Sequence, residues 1–568
     1  MEEIFKRRPF KVRNADEYDL DNVLNLFVSP IDGLTNPFDY ENTIIKGRMG
    51  SGKTMYLRAN HAYYLYGLVP SLIENNAELV LPVLIRLSDF QQMKDPTLVY
   101  RAVITKIIEE LTSIYLHLQD ARKLAALHSG MKLFSEDMLS SEKLAISIRQ
   151  LSKLDSEEYI VRVTNELGLK GGIKHKFIEA SKEWKETNFS EIKKKSNPGI
   201  KDIEECYKNL LEDQEGKILL LIDEAGSLDK TFFQSDSGPP FFEILMNQFR
   251  TASFIRTKIA VYPNTYSDML TETRYGDVVR LEETVTNEVG YKRYRSRVTH
   301  LIQNYLNPKT YTTAKYNPKD LFELNECGIY GDCLEQLMYA SNGNMRRLIH
   351  LLDMAMNAAY CENAMATKIH IDHTFEALKL HAENTESLFS EQEKDFLANV
   401  ISACKTRGSF KFTFPHMSPI LYKYTSKSQE YNIVNIEELG CGRKGTIYSF
   451  DYSYCVLKDI PTHYVKDTER ILRERSLEGG RWINRAASIN QQIIDHAVLP
   501  GKIYGEVDYL NLEKGIGFIK SDNGEEYFLN TVQIIETDRG KPVMTGKRIR
   551  FFPSNIGESK FATSIEIL

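Results

Sequence analysis

Cysteine is sparse in this chain of 568 residues: seven in all, at positions 206, 327, 333, 361, 404, 441 and 455, with no C-x-x-C pair. An odd, scattered set argues against a disulfide frame or a thiolate zinc site, so reduced thiols and a cytoplasmic setting are expected. No apolar run approaches the roughly twenty residues that span a bilayer, and no membrane partner is expected. The start, Met1-Glu2-Glu3-Ile4-Phe5-Lys6-Arg7-Arg8, lacks the apolar centre of a secretion signal. A basic excess is missing too. Lys and Arg number 72 against 78 Asp and Glu, a net charge of −6, which excludes a globally basic nucleic-acid coat and leaves local patches only. With 42% hydrophobic and 26% charged residues the composition is that of a globular protein, and the length suggests about three or four domains.

What the chain does contain is Gly47-Arg48-Met49-Gly50-Ser51-Gly52-Lys53-Thr54, in the G-x-x-x-x-G-K-[ST] spacing of a phosphate-binding loop. It follows a strand-like run, Thr43-Ile44-Ile45, and precedes a helix opening from Met55 to Ala62. Glycines let backbone N–H groups close round phosphates, with the helix N-terminus facing the charge. Lys53 is assigned to the β and γ phosphates and Thr54 to Mg²⁺. Further strands are expected at Leu79–Leu87, Lys217–Ile222 and Lys258–Pro263, and a helix from Thr97 to Leu118. A polar, Lys-rich insertion at about 119–215 carries no chemical motif. The third run ends in Asp223-Glu224, an acid to hold Mg²⁺ followed by a general base for the attacking water. Asn264 ends the next strand, where a polar residue can hold that water in line. Arg274 has two readings, a surface arginine or one that completes a neighbouring subunit's site.

From about 290 to 385 the pattern is helical, and Gly343 breaks two helices just before Arg346 and Leu348-Ile349-His350-Leu351-Leu352. Together, the loop, Asp223-Glu224, Asn264 and G-x-x-R before a leucine-rich helix resemble the AAA+ ATPases of the origin-recognition initiator type. The resemblance covers about 31–385. It implies a lid in which Arg346 contacts the γ phosphate, Asn264 as the strand-end sensor, and Arg274 as a finger acting in trans. The STAND signalling ATPases share the same core and stay in contention.

After a helix expected from Glu391 to Thr406, the chain resembles a winged helix, with a wing strand at Thr446–Tyr452 preceded by Arg443 and Lys444. Lys405, Arg407, Lys411, Lys423 and Lys427 interleave with Phe410, Phe412, Phe414, Tyr422 and Tyr424. Either that strip faces a nucleic-acid groove or its aromatics are core and its lysines solvated. The end of the chain, from Gly501 through Lys514-Gly515-Ile516-Gly517-Phe518-Ile519, resembles a cold-shock domain, a small OB-type barrel that stacks single-stranded bases. Tyr509, Phe518 and Phe528 match its aromatic positions and Lys514 lies beside them, whereas Leu510, Ile516 and Asn530 depart from the pattern. Residues 501–568 carry nine Lys and Arg against ten Asp and Glu, so nucleic-acid binding and protein docking both stand open.

The expected fold class is α/β: a P-loop core with a helical lid, then a winged helix and a small all-β barrel. The expected boundaries are 1–30 for a solvated basic approach, 31–290 for the core, 291–385 for the lid, 386–499 for winged helix and linker, and 500–568 for the barrel. The expected activity is Mg²⁺-dependent ATP hydrolysis coupled to DNA or RNA, with homo-oligomers when ATP is bound. The alternative is a STAND-like switch, for example in anti-phage (antiviral) defence, that recruits a protein effector.

Overall fold

The first thirty residues are not a solvated approach. In the computed structural model, α1 (Glu2–Arg7) and α2 (Leu20–Leu26) pack onto the rest of the chain, and Ile4, Phe5 and Phe10 are buried in the core of the helical domain. Arg8 and Arg13 reach the buried Asp353 carboxylate at 2.8 and 3.8 Å. The basic run hid apolar residues, and its partner acid lies far away in sequence. The structure describes the chain outside residues 31–35, 75–78, 113–198, 202, 205–215, 226–227, 229–231, 233–240, 263–275, 284, 286–287, 309–315, 324–331, 416–417, 426–431, 441–444, 463–485, 513 and 557–558. Most of the 119–215 insertion, with Asn264, Arg274, Arg443 and Lys444, therefore lies outside the described residues.

Five apolar runs form one parallel sheet: β1 (Thr43–Lys46), β2 (Leu79–Arg86), β3 (Gly216–Asp223), β4 (Ile255–Val261) and β5 (Asp277–Arg280). Their order is β2-β3-β4-β1-β5. Alternate residues enter two different apolar clusters, Ile44, Leu220 and Ile259 in one, Ile45, Leu221 and Ala260 in the other. Both faces are therefore covered, which is why these strands read as continuous apolar runs. Pro82 is tolerated because β2 is an edge strand with β3 on one side only. Around the sheet lie α3 (Lys53–Glu74), α4 (Pro96–Thr112) and α5 (Phe241–Thr251). Because β4 separates β1 from β3, the loop and the acid pair sit at strand ends one strand apart.

The helical unit in the place of the expected lid holds α6 (Glu288–Leu306), α7 (Pro318–Leu321), α8 (Cys333–Ser341), α9 (Met345–Glu362) and α10 (Ile371–Glu386) around Tyr294, Ile302, Leu337, Leu352 and Leu378. α8 stops at Asn342, and Gly343 follows with φ +75°. Asn344 then caps α9, its Oδ1 accepting the Arg347 N–H at 3.0 Å. A Cβ on Gly343 would stand 2.4 Å from the Glu283 carbonyl oxygen, where β5 hands over to the lid. Gly343→Ala therefore lowers stability by about 1–3 kcal/mol. Chemical denaturation of the full chain checks this, and an unchanged midpoint would contradict it.

Beyond the lid, α11 (Glu391–Arg407) starts at a Ser390–Glu393 capping box and ends at Gly408. A four-stranded sheet follows, with order β7-β8-β6-β9, from β6 (Lys411–Phe414), β7 (Val434–Glu438), β8 (Thr446–Phe450) and β9 (Ala487–Ser488). α12 (Tyr452–Lys458) comes directly after β8. The basic-aromatic strip is decided between its two readings, and two further features differ from expectation. Phe410, Phe412, Phe414 and Tyr424 are core, and Lys411 and Lys423 pair with Glu437 and Glu393, so the basic-aromatic strip is not a groove-facing surface. β8 is bonded on both sides rather than projecting as a wing. β9 draws part of the expected linker into the sheet by pairing with β6. Between β6 and β7 the described residues hold a single 3-10 turn, Pro419–Leu421, and no longer helix of the kind that reads DNA.

The chain ends in a closed barrel of β10 (Ile503–Asn511), β11 (Ile516–Ser521), β12 (Glu526–Asn530), β13 (Arg548–Ile556) and β14 (Ser559–Ile567), joined in the order β10-β11-β12-β14-β13. Val507, Ile519, Leu529, Phe551 and Ile565 fill it. It touches the preceding unit where the Tyr422 and Tyr527 hydroxyls meet at 3.1 Å and Ser554 Oγ donates to the Ser418 carbonyl at 3.2 Å.

Candidate nucleotide site

The loop between β1 and α3 depends on glycine for its path, with φ of +80° at Gly50 and +102° at Gly52. At Gly50 there is an external reason as well: a Cβ would come within 2.6 Å of Asn344 Oδ1 and 3.1 Å of Arg346 Cβ. Loop and lid are in contact here. The Arg346 N–H donates to the Gly50 carbonyl at 3.0 Å, and Asn344 Nδ2 to the Met49 carbonyl at 2.7 Å. From the end of β5, the Glu282 carboxylate accepts the Arg48 backbone N–H and pairs with Arg48 Nε at 3.0 Å.

Lys53 is nearly buried, at 7% exposure. Its Nζ donates to the carbonyls of Gly47 (2.6 Å) and Arg48 (2.9 Å), and lies 4.1 Å from the centre of the Tyr262 ring. Burial pulls its pKa down to about 8, against the opposing pull of Asp223 and Glu282. Asp223, at the end of β3, is also buried. Burial pushes its carboxyl up, while hydrogen bonds from the Thr54 hydroxyl and the Glu224 N–H (2.8 Å) hold it down. Glu224 has φ +56°, uncommon for a side-chain residue. In an extended strand two successive side chains point apart. That left-handed residue lets both acids line one cavity.

The cavity, about 240 Å³, has two characters. Lys53, Thr54, Asp223, Glu224 and Arg346 give its lining polar and charged groups; Leu26, Phe27, Val28, Leu281 and Ile349 give it apolar ones. This mixture suits a ligand with both a phosphate and an apolar part. Of the residues expected from sequence, Met49 to Thr54, Asp223, Glu224 and Arg346 converge here, and Gly47 and Arg48 hold Lys53 from behind. Sequence reasoning missed Tyr262 and the wall from Arg13 to Pro30. The run Leu26-Phe27-Val28 was the only available signal, and nothing in its spacing says what it faces.

Thr54 and Asp223 offer two hard oxygen ligands beside the loop, and Ser51 Oγ is buried with no hydrogen-bond partner among the described residues. That donor set fits Mg²⁺, which takes few protein ligands and completes its shell with phosphate and water. Among the described residues no group of three or more His, Cys, Asp and Glu side chains could hold a metal.

On the barrel, register aligns Tyr509 with Phe518, Phe518 with Phe528, and Phe528 with Phe561. Ring centroids lie 5.8 Å apart for Phe518–Phe528 and 5.0 Å for Phe528–Phe561. Tyr509 and Phe518 are 53% and 39% exposed, and Leu512 and Val532 are exposed as well. Phe561, the fourth ring, was not expected. The next outward row is Arg548, Glu506, Lys520 and Glu526, in which charges cancel. Lys514 is exposed at the turn after β10.

Among the described residues no helix is long and apolar enough to cross a membrane. Compared with models of known protein families the chain finds no match, and compared with curated proteins it finds no similar sequence.

Proposed function

We propose that this chain binds MgATP and hydrolyses it as an AAA+ ATPase of the origin-initiator type, and that its terminal barrel engages single-stranded nucleic acid. The convergence of Lys53, Thr54, Asp223, Glu224 and Arg346 on one cavity carries the reading. Strand order supports it: with β4 interposed, β1 and β3 lie roughly 10 Å apart, which leaves space for a γ phosphate and a water between loop and acids. Loop N–H groups and the start of α3 bind the phosphates, and Lys53 offsets their charge. Thr54 and Asp223 would hold Mg²⁺, which would supply charge stabilisation to the phosphate oxygens. Glu224 orients the water and takes its proton, and Arg346 meets charge on the γ phosphate. In an ATP-bound oligomer, Arg274 would reach the neighbouring copy's site.

The direct test is calorimetric titration of the full chain with MgATP, with and without single-stranded DNA or RNA, alongside steady-state phosphate release. Lys53→Ala costs about 1.5–3 kcal/mol of ATP binding, about ten- to a hundredfold. A pH series adds a sharper expectation. The free Lys53 ammonium deprotonates near 8. Bound phosphate raises that pKa, so ATP affinity is flat below pH 8 and falls about tenfold per unit above it, with proton uptake on binding. Lys53→Ala removes this dependence. ATP-driven assembly without any response to nucleic acid would favour a signalling switch that recruits a protein effector; absence of ATP binding would overturn both readings.

A further inference from the structure

Arg346 and Arg347 are neighbours in the first turn of α9 and serve different surroundings. Arg346 lines the nucleotide cavity, and its N–H is bonded to the loop at Gly50. Arg347 is buried, and its two Nη atoms donate to Asp451 Oδ2 and Oδ1 at 2.7 and 2.8 Å. Its Nη2 also lies 3.3 Å from Ser453 Oγ. Asp451 is the N-cap of α12, in the unit that follows the lid, and accepts the Ser453 N–H at 3.0 Å. Beside it, Tyr452 is inserted into the lid core and donates its hydroxyl to Gln336. Tyr454 and Lys458 both reach Glu386 of α10 at 2.8 Å.

The first turn of a helix has N–H groups without intrahelical partners, so what it touches sets where it sits. Asn344 divides its amide between the two demands: Oδ1 caps the helix at Arg347, and Nδ2 binds the loop at Met49. A buried ion pair adds little net stability because desolvation offsets attraction, yet a bidentate fork fixes direction closely. The Asp451 fork thus holds the turn through a second contact, separate from the loop.

We propose that Asp451 and Arg347 are positioning residues of the nucleotide site: the unit beyond residue 450 holds the first turn of α9 so that Arg346 meets the γ phosphate. This rests on the nucleotide reading above and adds that core and lid alone make an incomplete site. Its effect belongs to ATP, because ADP lacks the phosphate that Arg346 meets.

The test measures ATP and ADP dissociation constants by calorimetry on the full chain, for wild type, Asp451→Asn, Arg347→Lys, Arg346→Ala and the Arg346→Ala/Asp451→Asn double variant. Asp451→Asn is expected to weaken MgATP about three- to thirtyfold and ADP by less than about twofold. Arg347→Lys keeps the charge and loses the fork, so it shifts the ATP/ADP ratio in the same direction by less. In the Arg346→Ala background, Asp451→Asn leaves that ratio unchanged, since its route of action is gone. Equal losses for ATP and ADP, or additive effects in the double variant, would overturn the proposal and mark the pair as purely structural. Should Asp451→Asn fail to fold, with Arg347 left buried and uncompensated, Arg347→Lys carries the same comparison. A wild-type chain that binds neither nucleotide overturns the nucleotide reading first, and this inference with it.

Discussion

Glu224→Gln lowers ATP turnover by about 100- to 10,000-fold, the range general-base catalysis contributes, while ATP binding persists. The substitution keeps the volume and one carbonyl acceptor, so the water can still be held; it removes the group that takes the proton. It asks nothing new of the backbone, because glutamine tolerates the φ of +56° at this position as glutamate does. Binding has a reason to survive or tighten. The Glu224 charge is one of the influences that push the Asp223 carboxyl up. Removing it lowers the Asp223 pKa, favours the ionised form that holds Mg²⁺, and relieves repulsion against incoming phosphate. Phosphate release measured beside equilibrium binding separates the two effects. Turnover within tenfold of wild type would remove Glu224 from the role of base.

Tyr509→Ala together with Phe518→Ala weakens binding of single-stranded oligonucleotides by about 2–6 kcal/mol, since each stacked base contributes about 1–3 kcal/mol. That is a loss of about thirtyfold or more, read by fluorescence anisotropy with DNA and RNA oligonucleotides. Both rings are substantially exposed, so the barrel should keep its fold, and its melting transition serves as the control. The charges beside the rings cancel along Arg548, Glu506, Lys520 and Glu526. Binding should therefore depend weakly on salt, with the slope of log affinity against log salt at about −1 for one or two phosphate contacts. Unchanged affinity in the double variant would refute stacking and leave the apolar surface, with Leu512 and Val532, to a protein partner.

Much of this site was legible before any coordinates. The loop spacing carried its own geometry, and the run Leu219-Leu220-Leu221-Ile222 ahead of two acids read as a buried strand. The break at Gly343 and the start of α9 were also visible. Glycine at a left-handed position followed by an Asn cap is a local instruction, and so is the Ser390–Glu393 box that starts α11. The aromatic positions Tyr509, Phe518 and Phe528 came from the resemblance to a cold-shock domain. Phe561 did not, because it enters the row through the parallel pairing of β12 and β14, which no short-range pattern announces.

The errors have one physical origin. The basic N-terminal run looked solvated because charge is counted locally, whereas Asp353 draws Arg8 and Arg13 from far along the chain. The strip from Phe410 to Tyr424 offered two readings, and only packing against α11 and β8 made its aromatics core. By itself the sequence determined which residues are candidates for chemistry: a loop that can wrap phosphate, two acids at a strand end, and rings spaced along strands. These follow from backbone period and side-chain type, which are properties of neighbours. Tertiary structure alone decided that β4 stands between loop and acids, that the N-terminal segment walls the cavity, and that Arg347 faces Asp451 while Arg346 lines the cavity. Such choices depend on which distant surfaces bury one another, and burial is a property of the whole chain.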